Sequence, residues 1–478
     1  MASLFDRYQK EKRQKKKAES QRKARSTETS IPMQSVEQGV LIERLSHEGR
    51  GIANDAHGKT IFVRGALPSE HVTFQVTQTH SRFNEAHAVS ILKAAPTRQD
   101  PRCTHYGTCG GCSMQHATTS LQVQHKESVI REQLAHFANI SDDAIETARN
   151  KPLVGDSYSY RRKARLGVTK TKSQGLVLGF REYQSKRLTP IYACPILVPT
   201  LSALLEPLQI VLKKLKGAGN IGHIELIQGE DRNLVVVRMV TAMSEADRAL
   251  WTDFETQQET SVIIATGMDR ASEYGLEFKT LHNEPCPELT YSLDIAGHPI
   301  HLAFGPNDFL QVNADINQKM VEQALAWLQL EKHEHVLELF CGFGNFSLPL
   351  ALHAGSVTAI EVSQQQVNRG TENAAHNGIN NLTFMTANLE EPLAKVALPP
   401  HPMDVVLLDP PRTGAEKVCE QISLINPKRI LYVSCNPATL ARDTQILERQ
   451  GYALSKWGML DMFPQTAHAE CMVLFERR

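Results

Sequence analysis

Hydrophobic and polar positions divide the chain into four textures. Residues 1–30 are polar and basic with no apolar period, a stretch unable to bury enough surface to fold alone, so a disordered tail is expected there. Residues 31–94 carry short alternating runs, Lys59-Thr60-Ile61-Phe62-Val63 and His71-Val72-Thr73-Phe74-Gln75-Val76 among them, separated by glycine turns at Gly49-Arg50-Gly51, Gly58 and Gly65-Ala66-Leu67-Pro68. Short strands at that spacing predict a small OB-like β-barrel. Residues 95–290 read as a mixed α/β domain with strands at Asn233–Arg238 and Ser261–Ala265.

Residues 291–478 alternate strands and helices in the manner of a doubly wound parallel sheet. Phe309-Leu310-Gln311-Val312-Asn313 leads into an amphipathic helix ending near Leu330, and His335–Phe340 is a buried strand. Cys341-Gly342-Phe343-Gly344-Asn345 is a glycine turn opening a helix, and the second strand, Val357–Glu361, ends in an acid. A third strand, Leu382–Ala387, is followed by Asn388, and a fourth runs into Asp409-Pro410-Pro411-Arg412. The chain is thus a multidomain α/β protein with a barrel at its front and a Rossmann-like unit at its end.

Charge sharpens this division. Residues 1–200 hold 31 Lys and Arg against 18 Asp and Glu, while residues 201–478 hold 21 against 34. A basic front end suits a polyanion, and nucleic acid is the obvious one. The interleaved run Tyr158-Ser159-Tyr160-Arg161-Arg162-Lys163-Ala164-Arg165 adds aromatic and cationic side chains suited to single-stranded RNA. No apolar run nears the roughly 18 residues of a membrane span, and the basic start is not followed by a signal-peptide core, so a cytoplasmic location is expected. Nine cysteines in such a compartment argue for metal or catalytic roles over disulfides.

Cys103, Cys109 and Cys112 lie close together among Gly107, Gly110 and Gly111, and Cys194 followed by Pro195 stands far downstream. Four such thiolates suit a [4Fe-4S] cluster or a tetrahedral zinc, and the single Cys-x2-Cys pair favours the cluster. The glycine turn with Glu361 some 20 residues on would hold a nucleotide-containing ligand, the acid accepting from ribose hydroxyls. Nicotinamide and S-adenosylmethionine readings both use such a unit; the paired proline loop after the fourth strand favours the second. Finally, Tyr432-Val433-Ser434-Cys435-Asn436-Pro437 delivers a thiol into a turn at a strand end.

Together these motifs resemble known families. Leu45-Ser46-His47-Glu48-Gly49-Arg50-Gly51-Ile52-Ala53, with Phe62-Val63 and Ala66-Leu67-Pro68, is similar to a TRAM domain, an RNA-binding barrel. Asp409-Pro410-Pro411-Arg412-Thr413-Gly414, Val433-Ser434-Cys435-Asn436-Pro437 and Ala467-His468-Ala469-Glu470 resemble the RNA uracil-5-methyltransferase family. Barrel and four-cysteine motif together point to its bacterial 23S ribosomal RNA branch. The resemblance implies a class I methyltransferase domain at 291–478, a TRAM barrel at 31–94 and a cluster-bearing central domain at 95–290. It implies Cys435 as nucleophile, Glu470 as base, and Gln311, Phe340, Asn345, Glu361, Asn388 and Asp409 as contacts to S-adenosylmethionine. It implies 5-methyluridine in 23S rRNA as product, a loop or flipped uridine as target, and a monomer with no membrane partner. Asn388, where many class I enzymes carry an acid, departs from the general pattern. An iron-sulfur oxidoreductase using a nicotinamide and a non-catalytic RNA-binding assembly factor are the alternatives.

Overall fold

The computed structural model describes residues 39–171, 175–267, 275–396 and 398–478; the basic segment 1–30 lies outside them. The chain forms two compact units, one comprising residues up to Ser46 and Arg50–Ala95, the other His47–Gly49 and Pro96–Arg478.

In the smaller unit six strands form one sheet, from Val40–Leu41 to Phe83–Lys93. Alternation along Thr60–Arg64 buries Ile61 and Val63, which meet Ile42, Ala53, Val72, Phe74 and Ala86 in a small core. Gly51 is required by close approach: a Cβ there would stand 2.8 Å from Ile42 Cγ2 and 3.0 Å from the Ala66 carbonyl oxygen.

The larger unit contains two seven-stranded sheets and a hairpin, Leu289–Ile295 with His298–Phe304. Its first sheet runs in the order Leu276–Thr280, Ser261–Gly267, Asn233–Met239, Ile221–Gln228, Lys163–Thr171, Gly175–Arg181, Leu188–Pro190. The expected strands at 233 and 261 are neighbours there, and parallel.

The C-terminal sheet is built from β1 (His335–Leu339), β2 (Ser356–Glu361), β3 (Leu382–Thr386), β4 (Val405–Leu408), β5 (Arg429–Ser434), β6 (Tyr452–Leu460) and β7 (Glu470–Arg477). Its order is β3-β2-β1-β4-β5-β7-β6. β1 to β5 are parallel, and β7 lies antiparallel between β5 and β6. β4 is wholly apolar and buried, and β1 is buried after its first residue, as a parallel sheet covered by helices requires.

One part of that cover comes from far upstream. Ile130 and Leu134 of the helix Thr119–Phe137 and Ile145 of the helix Asp142–Ala148 share a core with Leu408, Tyr432 and Trp457. The Trp457 indole N–H donates to the Ile145 carbonyl at 2.7 Å, and Arg149 and Leu153 bridge to β6 at the sheet's outer edge. No helix among the described residues is long and apolar enough to cross a membrane.

Candidate active site at the carboxyl edge of the C-terminal sheet

Parallel strands end at one edge, and the polar residues that follow them are gathered there. Phe340 follows β1, Glu361 ends β2, Asn388 follows β3, Asp409 follows β4 and Cys435 follows β5. Because β7 runs the other way, its first residue, Glu470, returns to the same edge. The register pairing Ser434 with Cys471 puts Cys435 and Glu470 side by side at the strand ends.

The turn after β1 is tight. Phe340, Gly342 and Gly344 all have positive φ, at 65°, 56° and 105°, and a Cβ on Gly344 would meet Leu348 Cδ1 at 2.3 Å. Glu361 accepts from the backbone N–H groups of Gly342 (3.2 Å), Val362 (2.9 Å) and Ser363 (3.2 Å), so its carboxylate is fixed before any ligand arrives. Asn345 is held by a reciprocal amide pair with Asn317, both bonds 2.9 Å, and accepts from the Tyr291 hydroxyl at 2.8 Å. Its side chain therefore shapes the turn from below. Asn388 is exposed and accepts from Glu390 N–H in a local turn. Gln311 is tied by its carbonyl to Arg162 Nε at 2.8 Å. A cavity of about 600 Å³ opens beside Phe340, lined by Leu389, Thr413, Gly414, Ala415 and Thr439 among others.

The Asp409–Gly414 loop is pinned to the helix Pro437–Arg449 that starts after Cys435. Asn436 caps that helix and donates to the Arg412 carbonyl at 3.0 Å, and Arg442 donates to the Thr413 carbonyl at 2.9 Å. Nucleophile candidate and proline loop thus move as one piece.

Acidic groups crowd the site. Burial pushes the Asp409 carboxyl up to about 7. Burial, then the Asp409 charge, pushes Glu470 up to about 8, against the pull of Lys126 and Arg412. Burial, then Glu470 and Asp409, pushes the Cys435 thiol up to about 11, with Arg412 opposing. Burial and the charges of Arg412, Lys126 and Arg161 hold His468 below its ordinary value, so it brings no positive charge near neutrality. The cations facing these acids are Arg412, exposed, and Lys126, fully buried.

Lys126, Asp461, Gln465 and the buried Glu338 of β1 were not singled out from the sequence. A signal existed: on the helix Thr119–Phe137 the buried positions Gln122, Lys126, Ile130 and Leu134 fall four apart, and two are polar where the core stripe should be apolar.

One expectation changes in part. Tyr160 and Arg162 are 8% and 6% exposed, Tyr160 donating to the Pro464 carbonyl at 3.0 Å and Arg162 lying over the Tyr291 ring at 4.6 Å. Lys163 donates to the carbonyls of Pro306 and Asp308. These side chains join parts of the protein and are not free to stack on RNA. Phe309, conversely, is 65% exposed.

Cys103, Cys109, Cys112 and Cys194 come from loops on the first sheet's flank and are half-buried. Burial pushes the thiols of Cys109, Cys112 and Cys194 up, and the charge of other cysteines in the set adds to it. Among the described residues, no group of three or more His, Cys, Asp or Glu is arranged to hold a metal ion.

Comparison with known proteins bears on both units. Residues 287–478 match the tRNA (Uracil-5-)-methyltransferase family model, and residues 34–89 match the TRAM domain. The fold is similar to the crystal structure of Pyrococcus abyssi tRNA (uracil-54, C5)-methyltransferase in complex with S-adenosyl-L-homocysteine. That likeness has a TM-score of 0.68 at 21% identity, covering 92% of this chain and 100% of that one. The 23S rRNA (uracil(1939)-C(5))-methyltransferase RlmD of Vibrio cholerae serotype O1 is 42% identical over 443 residues, 92% of this chain and 96% of its own length. RlmD of Hahella chejuensis is 42% identical over 91% of this chain and 96% of its own length, and that of Photobacterium profundum 40% over 91% and 93%. With the methyltransferase fold, the TRAM domain and this identity over nearly the whole length, the chain belongs to the RlmD family of 23S rRNA uracil-C5-methyltransferases.

Proposed function

We propose that this chain transfers a methyl group from S-adenosylmethionine to C5 of a uridine in 23S rRNA, the one its relatives are named for, through a covalent bond between Cys435 and C6. The observation that carries this reading is the pairing of Cys435 with Glu470 at one strand edge, beside Asp409 and the glycine turn.

C5 of uracil is too weak a nucleophile to take a methyl group unaided. The Cys435 thiol gives its proton to solvent, the thiolate adds to C6, the electrons of the C5–C6 double bond move toward C5, and C5 becomes nucleophilic. Bound S-adenosylmethionine supplies the methyl group on a positively charged sulfur. Glu470 then takes the C5 proton. The electrons of that C–H bond rebuild the C5–C6 double bond, the C6–S bond breaks, and its pair returns to the Cys435 sulfur. Glu361 would hold the ribose, Asp409 would reach both the cofactor's amino end and the pyrimidine, and Gln311, Phe340, Asn345 and Asn388 would be further contacts to the cofactor. Exposed Phe309 stacks on a base drawn out of the RNA.

Cys103, Cys109, Cys112 and Cys194 would hold a [4Fe-4S] cluster, a reading supported by a donor set of four half-buried thiols whose charges act on one another. The cluster would act as a structural staple. The chain works as a cytoplasmic monomer, with the TRAM unit adding RNA affinity.

Incubation with 5-fluorouridine-containing 23S rRNA fragments and S-adenosylmethionine tests the mechanism. Fluorine cannot leave as a proton, so a methylated protein–RNA adduct should persist on denaturing gels and map to Cys435. An adduct on another residue, or none, would sink it. Membership in a methyltransferase family displaces both the nicotinamide and the assembly-factor readings.

A further inference from the structure

The turn that joins β6 to β7 and ends at Glu470 is held almost wholly by residues from more than 300 positions upstream. Lys126 Nζ donates to Asp461 Oδ1 at 2.6 Å and to the Phe463 carbonyl at 2.9 Å, with side chains 0% and 1% exposed in the ion pair. Four residues earlier on the same helix, Gln122 accepts from Gln465 N–H at 2.8 Å and donates to its side-chain oxygen at 3.1 Å. Ser113 and Met114 N–H both donate to the Gln465 carbonyl at 3.0 Å. Gln465 itself is fully buried with φ of 68°, a conformation its surroundings must enforce.

Several titratable groups surround Glu470. Asp409 and Arg412 face it from the loop after β4, Cys435 from the end of β5, Lys126 from the upstream helix, and His468 and Cys471 flank it on its own segment. Lys126 is the only buried cation among them. Its ammonium is anchored on Asp461, and its charge acts on Glu470 from there.

We propose that Lys126 is a positioning residue of the methyl-transfer reaction: it fixes the turn that presents Glu470 and, by its charge, keeps that carboxylate available to take the C5 proton. This rests on the reading of Glu470 as the base. Burial and Asp409 push Glu470 toward its protonated form, which cannot accept the proton, and Lys126 opposes them. The step served is elimination, in which the C5 proton passes to Glu470 and Cys435 leaves C6. Addition of sulfur to C6 does not depend on it.

The test uses the full-length protein, a 23S rRNA transcript with ordinary uridine, and S-adenosylmethionine. Lys126→Gln removes the cation while keeping a donor for Asp461 and Phe463, and carries the pH test. Lys126→Met removes the cation at near-equal volume and carries the test if the Gln variant fails to fold. Formation and decay of the methylated covalent complex are followed on denaturing gels across a pH series. Adduct formation should stay near the wild-type rate. Decay at neutral pH should slow roughly tenfold, and its midpoint should move to higher pH by about one pH unit, because a lost cation makes a nearby acid harder to ionise. An unchanged midpoint, at whatever rate, would reduce Lys126 to packing and overturn the proposal. Glu470→Gln, run in parallel, should hold the complex at every pH. If that variant clears its complex like the wild type, the base assignment fails; if it stalls while the Lys126 variants behave as wild type, only the role of Lys126 fails.

Discussion

Glu338 carries a carboxyl group through the middle of β1, 1% exposed, with the Ser347 hydroxyl as its hydrogen-bond donor. Burial pushes it up to about 8, and the charges of Asp409 and Glu361 push the same way. A carboxyl that holds its proton more tightly folded than unfolded favours the folded state below the ordinary carboxylate range. That advantage is lost as pH rises from there through about 8. Glu338→Gln keeps the shape and accepts the same hydroxyl bond without a charge to bury. It should stabilise the protein at pH 8 and above by a few kcal/mol, since each tenfold change in proton affinity is worth about 1.4 kcal/mol, and flatten the decline of melting temperature with pH. Equal slopes for variant and wild type would contradict this. Cys435 and Glu470 were legible in the sequence because motif and chemistry coincide at them. Glu338 was not, since within His335-Val336-Leu337-Glu338-Leu339 nothing distinguishes a buried carboxyl from one facing water. Lys126 was hidden by distance, its partner lying 335 positions away.

At the scale of elements, the glycine turn and the five parallel strands of the C-terminal sheet lie close to where apolar runs put them, since a parallel sheet buried on both faces leaves a strong pattern; the antiparallel strands β6 and β7 were not foreseen. Within the run Tyr158–Arg165, Tyr160, Arg162 and Lys163 misled because aromatic and basic residues look alike whether they meet RNA or span an internal seam. Burial decides, and burial depends on partners distant in sequence. The cysteine loops pose an element-scale question of their own. Cys112 is followed at once by Ser113 and Met114, which hold the turn before Glu470. Protein isolated without air should carry about four irons and four sulfides per chain, as a cubane requires, and Cys194→Ser should lose them together with thermal stability. Iron and sulfide absent from wild type, with one zinc in their place, would replace the cluster by the other four-thiolate site. If reduced and oxidised cluster-intact protein turned over RNA at different rates, the staple role would be wrong.

At the scale of the molecule, two units with separate cores predict two thermal transitions. Calorimetry should resolve a small one for the barrel of residues 39–95 and a larger one for the rest, and Ile61→Ala in the barrel core should lower only the first. A single transition lowered throughout by Ile61→Ala would show that the units unfold together. The barrel at the front of the chain was legible, from glycine turns and periodicity. The interleaving was not: helices from residues 119–148 complete the core of a sheet that begins at residue 335. That arrangement has a consequence for how the protein is made. The Trp457 indole finds its acceptor 312 residues upstream. At about 5–20 residues per second on the ribosome, Ile130 and Leu134 emerge tens of seconds before the strands that cover them. Through that interval the nascent chain carries an apolar helix face without a partner, a natural site for a chaperone to hold until synthesis ends.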